Sequence, residues 1–116
     1  MHAALRSFTM SPDPRSLPIE PADFAVDVRF IAGPADGSGE ESFDLTVCTP
    51  EWLARQAGSG FYPGRHHLVV NFELFSVSAL QTWIESKVSA VSGDTWAEVG
   101  ERLGRWAYWE FEDYTH

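Results

Sequence analysis

ESFDLTVCTPEWL, residues 41–53, changes its period partway through, and that change decides the fold class. From Ser42 to Cys48 the apolar Phe43, Leu45 and Val47 alternate with Asp44 and Thr46, the two-residue repeat of a half-buried strand. At Thr49 the pattern stops and a helix start takes over. Thr49 can accept from orphan amides, Pro50 suits the first helical position, and Glu51 complements the positive end of the helix dipole. Trp52 and Leu53 anchor this short helix, and Gly58 ends it. A strand leading directly into a capped helix predicts a mixed architecture.

Upstream, Phe24, Val26, Val28 and Phe30 alternate with Ala25, Asp27, Arg29 and Ile31, a second half-buried strand. GPADGSGEE, residues 33–41, supplies a fixed φ and several glycines, so the two strands form a hairpin. AALRSFT, residues 3–9, reads as a first strand. Pro12, Pro14, Pro18 and Pro21 make residues 10–22 a surface loop, because proline has no amide to give to a ladder.

Downstream, GSGFYPG, residues 58–64, is an irregular loop expected to expose Phe61 and Tyr62. RHHLVVNFE, residues 65–73, has an almost continuous apolar middle and predicts a central strand covered at least in part on both sides. Ser76 or Ser78 caps the next helix, whose Val77, Leu80, Ile84, Val88 and Val91 form one stripe before Gly93 breaks it. Thr95 and Glu98 have capping-box spacing for another helix, with Trp96, Val99, Leu103 and Trp106 or Ala107 inward. YWEFEDY, residues 108–114, alternates as a closing strand, with Trp109 and Phe111 opposite Glu110 and Glu112.

The predicted order is β-β-β-α-β-α-α-β. It fits a single two-layer α+β domain over residues 1–116, a mostly antiparallel sheet of about five strands with helices on one face. The other face would then meet water and carry Asp27, Asp44, Glu110 and Glu112, partly offset by Arg29. A chain of this length can remove roughly two thirds of its unfolded surface from water. At 44% apolar and 14% aromatic it needs no metal or disulfide to do so.

Charge narrows the partner. Seventeen acids against eight Lys and Arg leave a net charge of -9. Such a surface repels phosphate backbones and anionic lipids, so nucleic acid and membrane are not expected partners, whereas a basic protein is. Cys48 is the lone cysteine, the opening MHAALRSF lacks the apolar run of a signal peptide, and the expected compartment is the cytoplasm.

Three constellations have residue types that can carry chemistry. His66 and His67 are adjacent on a predicted strand, so they point to opposite faces and do not jointly hold a metal. Cys48 stands just before a helix start, where a dipole lowers a thiol pKa, with His66 or His67 as its base; a buried structural cysteine is the simpler reading. Glu110 and Glu112 share a strand face about 7 Å apart, a spacing used by paired carboxylates but ordinary for a wet strand. No phosphate-cradling loop or Cys/His cluster occurs, and no cofactor is expected.

The runs ESFDLTVCTPEWL (41–53), RHHLVV (65–70), TWAEVGERL (95–103) and WEFEDY (109–114), in this order, resemble the immunity protein 8 family of bacterial polymorphic toxin systems. The resemblance implies an α+β domain that neutralises a cognate toxin by direct binding, without catalysis. A basic, nucleic-acid-cleaving toxin matches the charge. The expected interface is acidic with aromatic anchors: Asp44, Glu110, Glu112 and Asp113, with Phe61 and Tyr62. The alternatives are a small hydrolase using Cys48 with a histidine, and a regulatory module binding another protein.

Overall fold

Alternation in Phe24–Phe30 and Phe43–Val47 sets the central hairpin. In the computed structural model Val26 pairs with Val47, Val28 with Leu45 and Phe30 with Phe43, so these six apolar residues fall on one face. A slip of one residue would send that whole set into water, and the register is accordingly well specified. The structure describes residues 1–11, 23–71, 73 and 75–109.

Along the described chain the elements are β1 (Ala3–Ser11), β2 (Ala25–Pro34), β3 (Glu41–Cys48), α1 (Pro50–Gln56), β4 (His67–Val69), α2 (Val77–Ser89), α3 (Trp96–Leu103) and β5 (Tyr108–Trp109). This is the predicted order. The sheet runs β1-β2-β3-β4, and β5 also pairs with β3. β3 therefore shares one edge between two partners: β4 runs parallel to Thr46–Cys48, and β5 antiparallel to Phe43–Asp44. The β1–β2 and β2–β3 pairings are antiparallel, giving a mixed, mostly antiparallel sheet.

The caps follow the sequence signals. Thr49 Oγ1 accepts from Trp52 N at 3.4 Å to start α1, and Ser76, rather than Ser78, accepts from Ala79 N at 3.1 Å to start α2. Thr95 Oγ1 accepts from Glu98 N at 3.1 Å, while the Glu98 carboxylate reaches Asp94 N at 3.4 Å, one residue before the cap. Arg102 donates to that same carboxylate and to Ser92 O, joining α3 to the loop before it.

α2 crosses the inner sheet face. Near its start Leu80 stands beside Leu68 and Val70; beyond its end Val91 O accepts from Ala3 N of β1 at 3.1 Å. Leu80, Ile84 and Val88 are buried with Val99 and Leu103 of α3. Phe30 lies between two nearly parallel rings, Phe43 at 5.1 Å and Trp106 at 5.2 Å. Trp109 extends the stack, 6.4 Å from Phe43. The core is thus as aromatic as the composition suggests.

Three expectations need correction. Residues 65–73 do not form a central strand: β4 is three residues long at the end of the sheet path, and Val69 is 47% exposed. The apolar run is used instead to close two surfaces at once, Leu68 and Val70 meeting the core while Val69 faces out. α2 ends at Ser89, so Val91 reaches the core from the loop and not from the helical stripe. β1 continues through Ser11, taking Met10 and Ser11 out of the predicted loop, of which residues 12–22 lie outside the described residues.

Candidate functional site

The outer sheet face is polar because the second string of each alternating strand is polar. Asp27 and Arg29 come from β2, Asp44 and Thr46 from β3, and Tyr108 from β5. Register brings them together: Arg29 pairs across with Asp44, Asp27 with Thr46, and Asp44 with Tyr108. Arg29 donates two parallel bonds to Asp44, Nε to Oδ1 at 2.9 Å and Nη2 to Oδ2 at 3.2 Å. Thr46 Oγ1 donates to Asp27 Oδ1 at 3.4 Å.

These groups floor a cleft of about 530 Å³ whose wall is completed by Arg65, His66 and Tyr108. Sequence reasoning placed Asp27, Arg29 and Asp44 on this face but missed the wall. Its formal charges balance, Asp27 and Asp44 against Arg29 and Arg65, so the described cleft is polar and not acidic. Arg65 and His66, expected at the start of a strand over residues 65–73, stand before β4, which begins at His67.

His66 is not in the strand, which begins at His67, so the strand parity expected to separate the two histidines does not apply; their rings nevertheless meet different partners. His66 adopts a left-handed backbone, φ 57°, uncommon for a residue other than glycine, and its Nε2 donates to Gly104 O at 3.0 Å. Its ring stands edge-on to Tyr108, centroids 5.9 Å apart. His67 Nδ1 lies 2.7 Å from Arg65 O, which fixes the proton there; Nε2 therefore accepts from the Tyr62 hydroxyl at 2.9 Å. Trp52 of α1 completes a cluster, 5.9 Å from Tyr62 and 6.0 Å from His67.

That cluster separates the two rings of the glycine-rich loop. Tyr62 is 36% exposed and held by His67 and Trp52, whereas Phe61, next to Gly60 at φ 131°, is 96% exposed. Glu110, Glu112 and Asp113 lie outside the described residues. Where the closing strand is described it alternates as expected, Trp109 packing on the core and Tyr108 opposite Asp44.

Cys48 offers nothing like an activated thiol. It is fully buried, and desolvation pushes its pKa above the ordinary 9.0. Both candidate bases are engaged by other groups, His66 with Gly104 and His67 with Arg65 and Tyr62. Among the described residues no cluster of His, Cys, Asp and Glu has the grouping needed to hold a metal ion. No helix among them is long and apolar enough to cross a membrane.

No curated protein and no solved structure matches the chain. The family description Immunity protein 8 does match, over residues 4–114, which takes in the hairpin, all three helices, the cleft and the aromatic loop. The chain belongs to the immunity protein 8 family.

Proposed function

We propose that the protein binds a cognate toxin domain in a one-to-one complex and neutralises it by covering its working surface, with no reaction of its own. Family membership supports the immunity role. The observation that carries the site is the polar cleft on the outer sheet face, whose wall residues Arg65 and His66 follow in the chain a few residues after Phe61, 96% exposed. Phe61 supplies an apolar anchor and the cleft supplies orienting polar groups, the division of labour expected at an interface centre.

The toxin is basic in this reading. The chain carries -9, and Glu110, Glu112 and Asp113 come within five residues after Tyr108 in the sequence. A partner of opposite charge is steered to such a protein at rates well above the unsteered range. An exposed Asp44 can exchange Arg29 for a partner's cation at little cost, because its present pair is exposed and weak.

The test is co-expression of the neighbouring toxin domain with this protein and with the Asp44→Lys, Glu110→Lys, Glu112→Lys variant. Survival with the wild type and death with a folded variant are expected. Equal survival with both would remove the acids from the interface.

A further inference from the structure

The cations of this acidic chain are unevenly spread. Three of its eight Lys and Arg residues, Lys87, Arg102 and Arg105, line one cavity of about 490 Å³ at the C-terminal ends of α2 and α3, together with Ser92 and Trp106. No Asp or Glu among the described residues lines it, although the chain has 17. Arg29, Arg55 and Arg102 are each paired with a carboxylate. Lys87 and Arg105 are exposed and form no ion pair among the described residues.

Two of the three are held by the fold. Arg102 donates to Ser92 O and to the Glu98 carboxylate, which fixes its guanidinium and leaves further N–H donors of the fork. Lys87 Nζ lies 5.6 Å from the Trp83 ring centroid, and Trp83 stands edge-on to Trp106 at 5.6 Å. Trp106 in turn stacks on Phe30, so the ammonium rests on a ladder of rings rooted in the core. Cations near helix C-termini ordinarily answer to unsatisfied carbonyls. Here turn amides already take several of them: Ser86 O and Val88 O accept from Ala90 N and Val91 N, and Arg102 O and Leu103 O from Arg105 N and Trp106 N. Much of the positive charge is therefore left for a ligand.

We infer that this cavity binds a phosphate dianion, free or as the monoester end of a small molecule. Glu98 offsets one of the three positive charges through Arg102, and the two that remain match the charge of a phosphate monoester near neutral pH. Two guanidinium forks and an ammonium give charge-assisted bonds to tetrahedral oxygens from different sides. Lys87 comes from α2, Arg102 from α3 and Arg105 from the turn after it, so the anion bridges all three. A nucleic-acid backbone is disfavoured, because its neighbouring phosphates would lie against a chain at -9. The site is distinct from the outer cleft: His66 of the cleft wall bonds Gly104 O, and Arg105, next in the chain, lines the cavity. Phosphate binding stands or falls independently of the toxin.

Titration of the isotope-labelled whole chain with sodium phosphate, followed by amide NMR at constant ionic strength, tests this. Saturable shifts are expected at the Ser92 and Arg105 amides and at the Trp106 indole, and acetate at the same ionic strength should not reproduce them. A nucleoside monophosphate separates the two sources. Tighter binding than inorganic phosphate assigns the site to a monoester, and equal or weaker binding to the free ion. Lys87→Gln and Arg105→Gln should each weaken phosphate binding by about tenfold, with unchanged melting in its absence. Lys87→Arg should retain it. Shifts that do not saturate, or that acetate reproduces, overturn the inference, as does undiminished phosphate affinity in a folded Lys87→Gln, Arg105→Gln double variant.

Discussion

The indole of Trp109 lies against the backbone of Gly100, so closely that a β-carbon there would stand 2.8 Å from Cζ2 of the ring. This contact lets β5 and α3 approach while Trp109 stacks beyond Phe43. Ala would suit the helix better than Gly by about 1 kcal/mol, but the collision with a rigid ring costs about 1–3 kcal/mol. Gly100→Ala is expected to be neutral to destabilising and Gly100→Val clearly destabilising by denaturant unfolding, with a shift in tryptophan fluorescence.

Thr49 is the hinge between sheet and helix. Fully buried, its Oγ1 accepts from Phe24 N at 3.2 Å as well as from Trp52 N, and Thr49 N bonds Phe24 O at 3.1 Å. Thr49→Ala removes the Oγ1 bond to the Phe24 amide together with the cap, a loss of about 1–3 kcal/mol. Thr49→Ser should recover most of it, as read by thermal or urea unfolding.

Cys48 predicts a pH effect of definite sign. Burial raises its pKa in the folded protein above the 9.0 of the unfolded thiol, so the unfolded chain releases the proton first. The thiol's contribution to stability is intact below that value and is lost as pH rises through the folded pKa. Cys48→Ala should abolish this alkaline component while leaving toxin protection intact. A native thiol that reacts as fast as free cysteine, or protection lost in a folded Cys48→Ala protein, would favour the hydrolase reading.

Much of this architecture was legible because alternation and caps are local signals. Val26, Val28 and Phe30 against Phe43, Leu45 and Val47 needed only the two-residue period, and Thr49-Pro50-Glu51 and Thr95 to Glu98 needed only cap chemistry. β4 was misread because an apolar triplet does not say how many sides will be covered: Leu68 and Val70 face the core, and Val69 does not. The site was half legible. Asp27, Arg29 and Asp44 followed from strand parity, while the split between Phe61 and Tyr62 depends on His67 and Trp52, which approach from other parts of the chain.

Phe61 is where stability and function separate. At 96% exposure its removal should change folding stability by less than about 0.5 kcal/mol. As an interface anchor its removal should weaken toxin binding by about tenfold or more. Tyr62→Phe, which keeps the ring on Trp52 but drops the bond to His67, should have a smaller effect on binding.

Calorimetric titration of the neighbouring toxin domain with this protein and with Phe61→Ala tests the central claim directly. Saturation at one-to-one is expected, with a loss of at least about tenfold in affinity for a Phe61→Ala protein that melts like the wild type. Undiminished affinity in that variant, or no heat of binding from the wild type, would contradict it.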